Sequence, residues 1–141
     1  MIDIVYNYLI IFGTRCNLID FFLENKSDHL HLCFNQLIPI DKNSYLMEKW
    51  GSNSNVIKLE DTIVSWNSKE YNNKEYNNKI FTIEYKFYTY GSPPLKWLEN
   101  LGMKYKWLEG SLEYESTYNY YLGKYLIKEG GKIEKKYNYN R

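Results

Sequence analysis

Three side chains of metal-binding type recur at every second position of one short segment. On a β-strand, His29, His31 and Cys33 would all point to the same face. Imidazole and thiolate groups are ligands that zinc accepts, at about 2.0–2.3 Å. Side chains two residues apart on a flat strand are separated by roughly 6.5–7 Å, however. The spacing therefore predicts a mixed polar face of a sheet and no metal site.

Paired carboxylates are the second feature that could do chemistry. Glu113 and Glu115 share one face of a predicted strand, and Glu84 and Lys86 can lie beside them. Two carboxylates in different environments can act as acid and base. We favour the alternative, a solvated face with ion pairs across strands. Because the sequence contains no glycine-rich phosphate loop, nucleophile elbow or Cys-x-x-Cys pair, we predict neither an enzyme nor a cofactor.

Aromatic residues beside glycine and proline form the third candidate site. Trp and Tyr in such a rigid setting can build a pocket that stacks on a planar ligand. The predicted ligand-binding residues are Trp50, Trp66, Tyr90 and Trp97, with Trp107 nearby in the sequence. The alternative, which we favour, is that Trp50, Trp97 and Trp107 are core or core-edge residues.

A strand followed by a rigid corner and a helix must position these residues. Apolar and polar side chains alternate over residues 81–88, which is the period of a half-buried strand. The glycine and two prolines of residues 89–94 end that strand, and Ser92 is the predicted helix N-cap. An apolar helical face follows over residues 95–101, and Gly102 is the predicted helix stop.

Strand and helix patterns alternate along the whole chain. The predicted order is a strand over 4–13, a helix over 14–26, a strand over 29–40, a short helix over 44–50, an irregular insertion over 51–80, the strand and helix described above, and strands over 108–116 and 118–127. This order predicts an α+β, ferredoxin-like βαββαβ fold, with two helices on one face of an antiparallel sheet plus a short extra helix and an insertion. Residues 4–12 and 80–90 should belong to that one sheet.

Length and composition limit the domain organisation. A chain of 141 residues is long enough for one core, so we expect a single ferredoxin-like domain over 1–130 and a tail or edge strand over 131–141. The tandem repeat of KEYNN within residues 68–79 is typical of an exposed loop. The 16 tyrosines fit either an aromatic binding surface or the codon bias of an AT-rich genome, and we favour the second.

Charge and hydropathy exclude several classes of function. A net charge of +1 gives no broad attraction to nucleic acid or anionic membranes. No apolar run approaches the roughly 20 residues of a membrane span, and the first residues lack the features of a signal peptide. The two cysteines fit reduced thiols, so we expect a cytoplasmic protein. Tyr6, Tyr8 and Tyr88 on the open face of the sheet leave RNA binding as an alternative, although no RNA-binding signature is present.

Four short motifs together resemble a known family. They are NYLIIFG at residues 7–13, FNQLIP at 34–39, WGS at 50–52, and TYGSPP at 89–94 with Trp97 after it. In order and spacing the chain is similar to the YubB-type (Api-like) ferredoxin-like domain proteins of phages, plasmids and related mobile elements. The resemblance implies a ferredoxin-like fold and a viral or mobile-element source. It implies no activity, because none is generally assigned to that family.

The functional hypothesis from sequence is a non-catalytic binding protein encoded by a virus or mobile element. Its expected role is to counter a host defence system by binding a host protein in the host cytoplasm. The alternative is a binder of a nucleotide signal or nucleic acid that uses an aromatic pocket or the open sheet face. The expected partners are accordingly a host protein or a small nucleotide ligand, with self-association left open and no membrane.

Overall fold

One antiparallel sheet and four helices make up the part of the chain that this computed structural model describes, residues 3–57, 67–70, 79–118 and 121–140. In chain order the elements are β1 (Ile4–Gly13), α1 (Arg15–Asn25), α2 (Phe34–Leu37), α3 (Leu46–Lys49), β2 (Asn67–Glu70), β3 (Lys79–Tyr90), α4 (Leu95–Lys104), β4 (Glu109–Ser116), β5 (Tyr121–Lys128) and β6 (Lys132–Asn140). The strands lie in the order β2-β3-β1-β4-β5-β6, and every neighbouring pair is antiparallel. The fold is therefore α+β, as predicted.

Strand β1 lies inside the sheet, between β3 and β4. Leu9 is opposite Tyr85 of β3 on one side and Leu112 of β4 on the other. Val5 and Ile11 share the buried face with Leu9, so every second residue of β1 enters the core. The antiparallel pairing of β1 with β3 confirms the prediction that both belong to one sheet.

Helices α1 and α4 cover the same face of the sheet. Thr14 is the N-cap of α1, because its hydroxyl accepts a hydrogen bond from the Asn17 N–H at 3.3 Å. Phe21 of α1 and Leu98 of α4 are both fully buried in one cluster with the inward side chains of β1, β3 and β4. The core thus lies between the sheet and these two helices.

The predicted strand over residues 29–40 is wrong. This segment is a loop followed by the short helix α2. Its backbone N–H groups form hydrogen bonds with the end of α1 and with a side chain, and not with a neighbouring strand. The Cys33 N–H donates to the Asn25 carbonyl at 2.7 Å, and the Phe34 N–H donates to Asn55 Oδ1 at 2.9 Å. Leu32 and Phe34 are both fully buried, and together they anchor the segment in the core.

The arrangement of elements also departs from the predicted βαββαβ order. Three helices precede β2, and the sheet continues past β4 through the hairpin β5–β6. Residues 132–140, part of the segment predicted to be either a tail or an edge strand, form the edge strand β6. Most of the KEYNN repeat predicted as an exposed loop lies outside the described residues.

The N-terminus of α4 is held by the chain segment that follows α3. Pro94 is the N-cap and makes no side-chain cap bond, so the predicted Ser92 cap is wrong. Instead, the Ser92 hydroxyl donates to the Gly51 carbonyl. The Trp50 carbonyl accepts a hydrogen bond from the Trp97 N–H at 3.0 Å, which satisfies one first-turn amide of the helix.

Gly102 lies inside α4 and does not end it, because the helix continues to Lys104. A Cβ atom added at Gly102 would overlap the carbonyl oxygen of Gly131, and one added at Gly131 would overlap the carbonyl oxygen of Gly102. The backbone of α4 therefore touches the turn between β5 and β6. This contact, which side chains larger than hydrogen would prevent, explains a glycine in the middle of a helix.

Candidate ligand-binding cleft

The structure brings two of the four predicted ligand-binding residues together in the core. Trp50 is 2% exposed and Trp97 0% exposed, and their rings lie 5.7 and 4.7 Å from the ring of Phe34. Tyr90 is half-buried at the end of β3. Trp66 lies outside the described residues. Trp50 and Trp97 thus pack around Phe34 and do not face an open surface.

The segment after Trp50 runs beside the end of β3 and fixes the corner. The Asn53 N–H donates to the Tyr90 carbonyl at 2.8 Å, and the Tyr90 N–H donates to the Ser54 hydroxyl at 2.9 Å. Ile57 forms an isolated bridge with Tyr88. The WGS and TYGSPP segments, 40 residues apart in sequence, therefore meet in space. They form one hydrogen-bonded wall at the N-terminus of α4.

A cleft of about 410 Å³ lies beside this corner. Its volume falls within the roughly 300–1,000 Å³ that is typical of small-molecule sites. The described residues that line it come from α3, the corner, α4 and the last three strands: Met47, Gly51, Ser92, Pro93, Leu95, Lys96, Tyr114, Tyr121, Tyr125 and Asn138. We call it the tyrosine cleft.

Three tyrosine rings form one wall of the tyrosine cleft. Tyr114 is 4% exposed and stacks on Tyr125 with 5.5 Å between ring centroids, while Tyr121 meets its edge at 6.0 Å. Tyr114 is opposite Gly123 of β5, and a Cβ atom added at Gly123 would overlap the Tyr114 hydroxyl. The Tyr121 hydroxyl donates to the Gly91 carbonyl at 3.2 Å. The rings are therefore held in place before any ligand binds.

The hydroxyls of Tyr114 and Tyr121 stay protonated at neutral pH. Burial raises the pKa of the Tyr114 hydroxyl, and the nearby Tyr125 adds to the effect. Burial, together with the Asp3 carboxylate, raises the pKa of Tyr121 to about 12. Because these two phenols are neutral, they carry no charge that would repel an anion.

Lys96 is the one charged side chain among the described residues that line the tyrosine cleft. It is exposed in the first turn of α4 and makes no ion pair with any described residue. That first turn contains no acidic residue. Because the N-terminus of a helix is electropositive, a bound anion would interact favourably with both the helix and the ammonium group.

His29, His31 and Cys33 do not share one face as predicted, because their segment is not a strand. The centroid of the His31 ring lies 5.7 Å from that of the Phe22 ring. The buried Cys33 sulfur accepts a hydrogen bond from the Asn55 side chain at 3.2 Å. His29 lies in the loop between α1 and α2. Within the described ranges, no three His, Cys, Asp or Glu side chains lie close enough to hold a metal ion.

The carboxylates of the open sheet face are paired with neighbours on adjacent strands. Glu113 forms an ion pair with Lys124 at 3.2 Å, the arrangement that the sequence favoured. The Tyr8 hydroxyl donates to Glu84 at 2.6 Å, and burial and this carboxylate raise the pKa of Tyr8. The Lys86 ammonium lies 5.3 Å from the Tyr8 ring centroid. The charges on this face therefore neutralise one another.

Sequence reasoning missed the residues that line the cleft. Tyr121, Gly123 and Tyr125 stand at alternate positions and so share one face of β5. That alternation is the one feature of the sequence that could have indicated the cleft. It does not predict which strand pairs with β5, nor the register that places Tyr114 opposite Gly123.

Comparison with known proteins gives no family for this chain. No family profile, curated protein or solved structure matches it. Among the helices of the described residues, none has the length and apolar character to cross a membrane.

Proposed function

We propose that this chain is a non-catalytic binding protein and that its ligand is a small planar anion of the nucleotide class, held in the tyrosine cleft. One observation carries the proposal. Tyr125, whose ring is backed by Tyr114, lines the same cleft as Lys96, whose ammonium group has no ion-pair partner among the described residues. A nucleotide combines the two features that these side chains recognise, a flat base and a phosphate.

The chemistry of the cleft suits base and phosphate separately. Stacking of a base on an aromatic side chain contributes about 1–3 kcal/mol and tolerates any base, because every base has a π-face. The phosphate would lie toward Lys96, where the helix N-terminus adds to the attraction. The protonated hydroxyls of Tyr114 and Tyr121 add no negative charge that would oppose it.

Titration calorimetry with AMP tests this proposal. Tyr125→Ala should weaken AMP binding roughly 5- to 150-fold, the equivalent of one lost stacking interaction. Tyr125→Phe keeps the ring and should bind AMP nearly as well as the wild type.

Tyr8→Ala is the matched control, since it removes the same side chain from the opposite face of the sheet. It should leave the AMP affinity unchanged. An equal loss of affinity in Tyr8→Ala and Tyr125→Ala, or no AMP binding by the wild type at millimolar concentration, would rule out the cleft as a nucleotide site.

A protein partner on the open sheet face is the second candidate. Tyr6 and Tyr88 lie opposite each other there, with ring centroids 5.4 Å apart, and Leu122 is on the same face. An aromatic patch ringed by paired charges is more typical of a protein interface than of a surface for phosphates. In a viral or mobile-element protein, either site would counter a host defence by sequestration. The cleft would sequester a nucleotide signal, and the open sheet face would sequester a host protein.

We also propose that the core is ferredoxin-like. The order β1, α1, β2, β3, α4, β4 is consistent with the β-α-β-β-α-β arrangement of that fold. On this view α2 and α3 are insertions before β2, and the hairpin β5–β6 extends the sheet beyond β4.

A further inference from the structure

A second cleft, of about 480 Å³, adjoins the tyrosine cleft. It lies between α4 and the hairpin β5–β6, and it shares Leu95 and Tyr125 with the tyrosine cleft. A ligand stacked on Tyr125 that is longer than one nucleotide would therefore enter it. We call it the lysine cleft, after the side chains described next.

Unpaired positive charge is concentrated in the lysine cleft. Lys106, Lys132 and Lys135 line it, against one acidic residue, Glu99. All three lysines are exposed, and none makes an ion pair within the part of the chain that the structure describes. The chain as a whole carries a net charge of only +1. The positive charge of this groove is therefore a local feature that a ligand with several negative charges would complement.

Three lysines elsewhere in the fold are neutralised by carboxylates. Three ion pairs are present among the described residues: Lys104–Glu24, Lys124–Glu113 and Lys128–Glu134. The three lysines of the groove have no such partner among the described residues, so their charge is available to a ligand.

The backbone contact between α4 and the β5–β6 turn keeps the groove in shape. Gly102 and Gly131 approach so closely that neither can carry a Cβ atom. Lys106 follows the end of α4 and Lys132 begins β6, so the contact holds the two elements that carry them together. The positions of the two backbones that carry these lysines are thus set before a ligand binds, which lowers the entropic cost of binding.

We infer that the ligand carries at least two phosphates, with a base on Tyr125 and the further phosphates in the lysine cleft. This inference rests on the proposed nucleotide function and adds the ligand class. Two sources share the chemistry, a nucleoside triphosphate and a dinucleotide. AMP, ATP and the 5′-phosphorylated dinucleotide pApA are the probes that separate them.

Calorimetric titration of the full chain with the three probes tests the inference. ATP or pApA should bind about three- to tenfold more tightly than AMP, the gain that two or three exposed ion pairs supply. The double variant Lys132→Gln/Lys135→Gln should lose that gain and keep the AMP affinity. The affinity of this double variant for ATP should also depend less on salt concentration than that of the wild type, because fewer ion pairs form with the phosphates.

The double variant Lys86→Gln/Lys124→Gln is the matched control, because it removes the same charge from the open sheet face. It should leave all three affinities unchanged. A gain for ATP alone assigns a polyphosphate tail to the groove, and a gain for pApA alone assigns a second nucleotide. If AMP binds but neither longer probe binds more tightly, or if both double variants lose the same affinity, this inference is overturned. If none of the probes binds, the proposed function itself fails.

Discussion

Replacing Trp97 by alanine is expected to lower the free energy of unfolding by about 3–5 kcal/mol. The indole is 0% exposed, and its ring lies 4.7 Å from the ring of Phe34, which also contacts Trp50 and Phe87. The alanine side chain would leave a large cavity at the centre of this aromatic cluster. Because the surrounding rings belong to α2, β3 and the residue that follows α3, they cannot all move in to fill it.

Trp97→Phe is the informative comparison. The indole N–H is buried and has no hydrogen-bond partner among the described residues. An unsatisfied buried donor costs about 1–3 kcal/mol, and phenylalanine removes that cost while it keeps most of the aromatic surface. We therefore expect Trp97→Phe to be much less destabilising than Trp97→Ala.

Urea denaturation of both variants, beside AMP titration of the same samples, tells packing from ligand binding. The packing role predicts that Trp97→Ala loses stability and that AMP binding falls only with the folded fraction. A Trp97→Ala protein that unfolds at the wild-type urea concentration but no longer binds AMP would show that the indole stacks on the ligand.

Gly102→Ala is expected to destabilise the protein by about 3 kcal/mol, the upper end of the range for overpacking. Helix propensity alone predicts the opposite sign, since alanine is better than glycine inside a helix by about 1 kcal/mol. The packing term wins because the new methyl group would overlap the carbonyl oxygen of Gly131. Both contacting groups belong to backbones, so a side-chain rotation cannot relieve the overlap.

Met103→Ala is the control for this position in α4. Its side chain is 60% exposed, so we expect a change within about 0.5 kcal/mol. Thermal and urea melts of the two variants give the comparison. If Gly102→Ala were as stable as the wild type or more stable, α4 would not touch the β5–β6 turn in solution. The contact that keeps the lysine cleft in shape would then be absent.

The sequence was informative where one strand or helix could be judged by itself. The alternation in β3 and β4 follows from burial of one strand face, and it predicted these two strands. The apolar, β-prone residues of β1 predicted the third, and the expected fold placed β1 and β3 in one sheet. Leu30, Leu32 and Phe34 were also interpreted as one face of a strand, but Cys33 between them is buried as well, so the segment is an anchored loop and not a strand. What decides between the two is the long-range bond from Phe34 to Asn55, which has no local signature.

The cleft was harder to predict than the fold. Its wall depends on the register between β4 and β5, and a shift by one residue would place the Tyr125 ring on the other face. The tryptophans were predicted as ligand-binding residues because an aromatic ring in a rigid setting can stack on a planar ligand, but the same large apolar ring also favours burial in the core. Trp50 and Trp97 accordingly lie in the core, and the smaller, amphipathic tyrosines line the open cleft.

Whether a nucleotide binds in the tyrosine cleft is tested most directly by an NMR titration of the ¹⁵N-labelled chain with AMP. The largest amide shift changes are expected at Lys96, Tyr121 and Tyr125, with the amides of Tyr8 and Lys86, whose side chains lie on the open sheet face, unaffected. Shift changes confined to the open face, or none up to millimolar AMP, would contradict binding in the cleft.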